Sequence, residues 1–156
     1  MKAVVVHGAA DLRIDEYPEP QAEAGQVVVG IVYGGICGSD LHYAAAGRNG
    51  NFEVAEPLTV GHEVSGAVTA PAPGVDESLR GRRVAIHPAR PTPPVGGARG
   101  SGLNLAYGGS YLGSASTSPH TQGGFAESLV VNVEQLREVP EALSLRRAAL
   151  AEPLAV

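Results

Sequence analysis

A single cysteine in 156 residues means that no disulfide can form within the chain. Tryptophan is absent, and aromatic residues make up only 4% of the sequence. A hydrophobic core must therefore be assembled from Val, Ala, Leu and Ile, which fill space by branching and number rather than by rings. No apolar run approaches the ~18 residues needed to cross a membrane as a helix. The opening Met1-Lys2-Ala3-Val4-Val5-Val6-His7 is too short in its apolar part to read as a secretory leader. Positive charge is sparse and scattered, 11 Lys and Arg against 16 Asp and Glu, for a net charge of −5. Nucleic acid and anionic membrane both call for clustered positive charge, so neither is an expected partner. A cytoplasmic location is the expectation.

What is abundant is punctuation. With 21 Gly and 12 Pro, about a fifth of the chain favours tight turns between short strands over long helices. Residues 3–7 and 12–17 flank a turn at Gly8-Ala9-Ala10-Asp11 and predict a hairpin. Further strands are predicted over 26–33, 64–70, 82–87 and 125–133, with short helices over 40–46 and from Ser144 to Ala151. Ser144 is the predicted N-cap of the second helix. Many short alternating strands separated by turn signals argue for a mostly β barrel or sandwich. The stretch 88–124 shows no periodicity and is dominated by Gly, Pro, Ser and Thr. A loop of that length inside a compact domain is functional, disordered or held by a staple.

Four side chains stand out as metal-binding chemistry: Cys37, His62, Glu63 and Glu152. Taken singly, Cys37 and His62 read as buried structural residues and the two glutamates as surface carboxylates. In combination they supply thiolate, imidazole and carboxylate, the donors zinc accepts, while a catalytic site keeps one position open. The adjacency of His62 and Glu63 makes a geometric demand. In a regular strand they would face opposite ways, so the backbone must bend, and Gly61 is the expected place.

Two stretches carry a resemblance: Gly35-Ile36-Cys37-Gly38-Ser39-Asp40-Leu41-His42 and Gly61-His62-Glu63-Val64-Ser65-Gly66. The second opens the pattern G-H-E-x2-G-x5-[GA]-x2-V, completed here by Gly66, Ala72 and Val75. Together they resemble the zinc-dependent medium-chain dehydrogenase/reductase family of the alcohol and sorbitol dehydrogenase type, over essentially the whole chain. The ending Ala151-Glu152-Pro153-Leu154-Ala155-Val156 resembles the polyol branch, and Tyr111-Leu112-Gly113-Ser114-Ala115 with Pro119-His120-Thr121-Gln122 resembles the L-idonate 5-dehydrogenase group.

The resemblance implies a GroES-like β-barrel for residues 1–156, the N-terminal catalytic domain of a zinc- and NAD(P)-dependent dehydrogenase. It implies Cys37, His62 and Glu63 as ligands of one catalytic zinc, with Glu152 an outer ligand, direct or through water. Ser39 and His42 are implied as the relay that takes the substrate hydroxyl proton to solvent, and Asp40 as the residue orienting His62. The competing local reading is that Ser39 and Asp40 cap the short helix and that His42 is simply exposed. Tyr43, His120 and Gln122 are candidates for contacting a hydroxylated substrate, although His120 reads equally well as a turn residue after Pro119.

The family's second metal lobe has the spacing C-x2-C-x2-C-x7-C. Here those places hold Thr92, Val95, Ala98 and Ala106, none able to bind zinc, so no structural zinc is expected. Without that staple, residues 90–120 are expected to be mobile or held by a neighbouring subunit.

The sequence contains no strand, glycine-rich turn and helix with a following acidic residue. The expected role is thus the catalytic part of a parent enzyme, itself a homo-oligomer, oxidising a sugar alcohol or sugar acid such as L-idonate. The isolated chain is expected to be inactive. A non-catalytic GroES-like interaction module and a metal-free reductase of the quinone-reductase type are the alternatives. Neither requires the thiolate, imidazole and carboxylate together.

Overall fold

The computed structural model describes residues 1–91 and 109–155. The predicted hairpin forms from β1 (Lys2–Gly8) and β2 (Asp11–Glu16), antiparallel with Val4 opposite Ile14 and Val6 opposite Leu12. Ala10 closes the turn in the left-handed region at φ 56°. β3 (Gln26–Gly35) runs two residues past its predicted end, into Gly34-Gly35. The predicted helix follows as α1 (Gly38–Ala46). Three two-residue strands come next, β4 (Arg48–Asn49), β5 (Phe52–Glu53) and β6 (Leu58–Thr59), the last pairing with β1. β7 (Glu63–Pro71) and β8 (Arg83–Ile86) continue the chain.

Within the stretch read as loop, the described part contains two short strands and a bridge. β9 (Ala89–Pro91) pairs antiparallel with β10 (Gly109–Tyr111), and Ser114 bridges Thr121. The backbone amides and carbonyls there find cross-strand partners that no periodic pattern announces. Thr92, Val95, Ala98 and Ala106 lie outside the described residues. β11 (Ser128–Asn132) and β12 (Leu136–Glu138) complete the strands. The final helix is two pieces, α2 (Leu145–Ala148) and α3 (Ala151–Ala155), and Ser144 caps the first as expected, its Oγ accepting from the Arg147 amide at 3.3 Å.

The main sheet has the order β11-β3-β7-β8-β12, all antiparallel, and a second sheet has the order β2-β1-β6. Residues 125–127 stitch them together. The Val4 amide donates to the Phe125 carbonyl, the Glu127 amide to that of Lys2, and the Ile31 amide to that of Glu127. That is why β11 begins only at Ser128: the three residues before it belong to the junction. The result is the mostly β, barrel-like architecture with short helices that was expected. Val27, Val29, Val64, Val68, Val84, Ile86, Leu112, Leu129 and Val131 form the main core. Their alternation on each strand puts one face of the sheet inside, and branched side chains supply the bulk that rings do not. Among the described residues, no helix is long and apolar enough to cross a membrane.

Candidate metal centre

The site is assembled where α1, the start of β7 and the end of β3 meet. Cys37 occupies the N-cap of α1 in extended conformation, φ −86° and ψ 159°. Three residues on, Asp40 is 4% exposed and uses both carboxylate oxygens. Its Oδ2 accepts the Cys37 amide at 2.9 Å and its Oδ1 accepts the Gly61 amide at 3.0 Å. One buried carboxylate thus ties the residue carrying the thiol to the residue before the imidazole. His62 Nδ1 lies 4.0 Å from Asp40 Oδ1, beyond hydrogen-bond reach, so Asp40 acts on His62 through the Gly61 backbone and through charge.

The bend demanded by His62 and Glu63 falls at Gly61, whose φ is 94°. A Cβ there would run into the ring of Phe125. Beyond the bend, Glu63 opens β7 opposite Gly35, where a Cβ would strike the Glu63 carboxylate. His62 and Glu63 are both 6% exposed although adjacent in sequence. The outcome is a convergence of Cys37, His62 and Glu63, with one ligand atom from each within 4.8 Å of the others.

Glu152 is not one of the converging three. It reaches the region from α3 and accepts a hydrogen bond from the Tyr111 hydroxyl. The Tyr111 ring meets the His62 ring edge-on, with centroids 5.4 Å apart and planes at 67°. Tyr111 therefore links the imidazole to the outer carboxylate. Its part went unread in the sequence because a lone tyrosine on a three-residue strand has no spacing signal. The cluster's electrostatics favour a cation. Burial pushes the Glu63 carboxyl above its ordinary range; His62 pulls it down, Glu152 and Asp40 push it further up, and a hydrogen bond with Cys37 lowers it. Tyr111 is also pushed up, first by burial and then by Glu152. Among the described residues no Lys or Arg makes an ion pair with Glu63 or Glu152. A thiol, an imidazole and a carboxylate converging beside further carboxylates suit the chemistry of zinc.

The other expected residues take varied places. Ser39 is half-buried in the first turn of α1, and His42, one turn along the same helix, is exposed. Neither side chain makes a hydrogen bond among the described residues. Tyr43 is 1% exposed in a second core with Val6, Leu58, Val60 and Ala115, and its hydroxyl accepts the Ala115 amide at 3.0 Å. His120 has both ring nitrogens engaged, Nδ1 with the Thr117 carbonyl at 2.8 Å and Nε2 with the Ala55 amide at 3.0 Å. That pairing requires the neutral ring protonated at Nδ1. Gln122 Oε1 accepts the Thr59 amide at 2.7 Å, and its Nε2 donates to the Pro57 carbonyl at 3.2 Å. All three polar tips are thus bound to backbone. His120 and Gln122 line a groove that none of Cys37, His62 and Glu63 lines.

Residues 23–141 match the family described as alcohol dehydrogenase GroES-like domain. Sorbitol dehydrogenase of Bacillus subtilis (strain 168) is 33% identical over 156 residues, 100% of this chain and 43% of that protein. Human sorbitol dehydrogenase is 34% identical over 154 residues, 99% of this chain and 42% of that protein. Among solved structures, L-idonate 5-dehydrogenase from Escherichia coli superposes with a TM-score of 0.89 at 34% identity, covering 99% of this chain and 44% of that one. For 2R,3R-butanediol dehydrogenase from Bacillus subtilis the TM-score is 0.82 at 36% identity, covering 99% of this chain and 45% of that one. The chain spans less than half the length of these relatives.

Proposed function

Since the chain belongs to the family of alcohol dehydrogenase GroES-like domains, we propose that it is the metal-binding part of an NAD(P)-dependent dehydrogenase of polyols or sugar acids, with Cys37, His62 and Glu63 holding its zinc. The convergence of those three donors within 4.8 Å, from two separated segments, is the observation that carries the reading. Zinc bound there would polarise a substrate hydroxyl and lower its pKa.

The chain's own residues would do the rest. Asp40 holds the two ligand-bearing segments in register through the Cys37 and Gly61 amides. Tyr111 packs on the His62 ring and holds Glu152, the proposed outer carboxylate, by a hydrogen bond. Ser39 is the proposed first acceptor of the substrate proton and His42, on the exposed side of the same helix, the group that passes it to solvent. The relatives named sorbitol, L-idonate and butanediol dehydrogenase support a small hydroxylated substrate. Turnover is proposed for the whole protein, not for these 156 residues by themselves.

Metal analysis of the purified chain tests the reading. Wild type should retain about one zinc per chain, and cobalt in its place should show the charge-transfer absorption of a thiolate ligand. Cys37→Ala should lose both. A wild-type chain that keeps no zinc, or a Cys37→Ala chain that keeps it equally well, would sink the metal assignment. For the activity, the whole protein should reduce NAD or NADP with a polyol or sugar acid; failure across sorbitol, L-idonate and 2,3-butanediol would remove it.

A further inference from the structure

The groove lined by His120 and Gln122 has a volume of about 860 Å³, and on one wall it carries a cation that no carboxylate of the described residues pairs. Arg90 sits on β9, half-buried. Its Nε donates to Gln135 Oε1 at 2.9 Å and one terminal nitrogen to the Val130 carbonyl at 3.0 Å. Gln135 is itself 1% exposed and fixed, its Nε2 donating to the His87 carbonyl at 3.0 Å. The guanidinium is therefore locked in place from behind. Among the described residues its other terminal nitrogen has no hydrogen-bond partner. Ser110 stands directly opposite Arg90 across the β9–β10 ladder and lines the same groove. Directly opposed residues of an antiparallel pair present side chains on one face, close enough to share a ligand.

We propose that this groove binds an oxyanion, a phosphate or carboxylate group, on the guanidinium of Arg90 and the hydroxyl of Ser110. A rigid guanidinium with spare donors is suited to such groups because its fork matches their oxygens. Holding a cation half out of water without a counter-charge is costly, and an anion removes that cost. Burial already pulls the Arg90 pKa below its usual range. No carboxylate of the described residues pairs with Arg90, and residues 92–108 contain neither Asp nor Glu. Glu56, the one acid on the groove wall, accepts the His120 amide instead. Its charge lowers the affinity for any anion and so tunes the site. The groove shares no residue with the Cys37, His62 and Glu63 cluster, and the proposal stands whether or not that cluster binds zinc.

Titration of the chain with inorganic phosphate and with acetate, at fixed ionic strength in chloride, tests this. The Cys37→Ala background removes binding through a metal. Calorimetry should give a dissociation constant on the order of millimolar for at least one anion, and the Arg90 Nε–H resonance should move with it. Arg90→Gln should weaken binding about tenfold or more and Ser110→Ala about threefold. Glu56→Gln, which keeps the acceptor for His120 while removing the charge, should tighten it about threefold. Stronger binding of phosphate marks a phosphoryl site, and stronger binding of acetate a carboxylate site. Absence of binding by either anion above chloride overturns the proposal, as does unchanged binding in Arg90→Gln. Should Arg90→Gln not fold, unchanged affinity in both Ser110→Ala and Glu56→Gln overturns it.

Discussion

Asp40 shows how much a single residue can decide in this protein. It sits at the third position of α1, where an acidic residue is expected for helix capping, and one oxygen does that work on the Cys37 amide. The other oxygen leaves the helix and holds Gly61. Asp40→Ala should therefore leave two N–H groups without partners and cost about 2–4 kcal/mol in urea unfolding. It should also weaken zinc binding about 10–100-fold in a chelator competition, since both ligand segments lose their common tie. Asp40→Asn keeps one acceptor and should fall between. Gly61 is constrained in another way, by a φ of 94° and by the Phe125 ring where a Cβ would go. Gly61→Ala should destabilise by about 2–4 kcal/mol and lower zinc content, because the bend that turns His62 and Glu63 into one pocket is lost. A melting curve superposable on wild type would refute that.

At the scale of elements, the piece most dependent on others is the α2–α3 pair. Neither helix exceeds five residues, so neither has standing stability of its own. α2 is held to the sheet by Ala148 and Ala149, both buried, and by the Ser65 hydroxyl, which donates to the Leu145 carbonyl at 2.7 Å. Ser65 is fully buried on β7, two residues after Glu63. The strand that supplies a ligand candidate thus also docks the helices that bring Glu152. Ser65→Ala should cost about 1 kcal/mol globally. Its larger effect should be local: faster amide exchange in α2 and α3 than in β7, measured by hydrogen–deuterium exchange. Equal protection in both proteins would show that apolar packing alone seats the helices.

For the molecule as a whole, the barrel-like frame and the proposed metal centre would be thermodynamically linked. The donors come from the cap of α1 and from the bend that opens β7, so an ion bound among them would join two segments that separate on unfolding. Zinc present at ~100 times its dissociation constant would add about 2.7 kcal/mol. Addition of a chelator should lower the melting midpoint of wild type by several degrees and leave Cys37→Ala unmoved. A wild-type midpoint insensitive to chelation would mean that the cluster is not a binding site. A net charge of −5, with several carboxylates around the cluster, works in the same direction by favouring cations over anions there. The Arg90 groove is the counterexample on the same molecule, with a guanidinium that no acid of the described residues pairs.

Short-range physics made a good part of this legible from the amino acids. Alternating or β-branched apolar runs between turn signals marked β1, β2, β3, β7 and β8, and Ser144 marked a helix start. The adjacency of His62 and Glu63 required a bend that only glycine takes without strain. Those features depend on a few neighbouring residues and so leave a trace in them. The meeting of Tyr111 with His62 and Glu152, the backbone roles of Tyr43, His120 and Gln122, and the setting of Arg90 in its groove depend on which distant strands lie side by side. Tyr111 and Glu152 are 41 residues apart, and no local window relates them. Only the closure of the sheet through residues 125–127 and the docking of α2 decide that they touch.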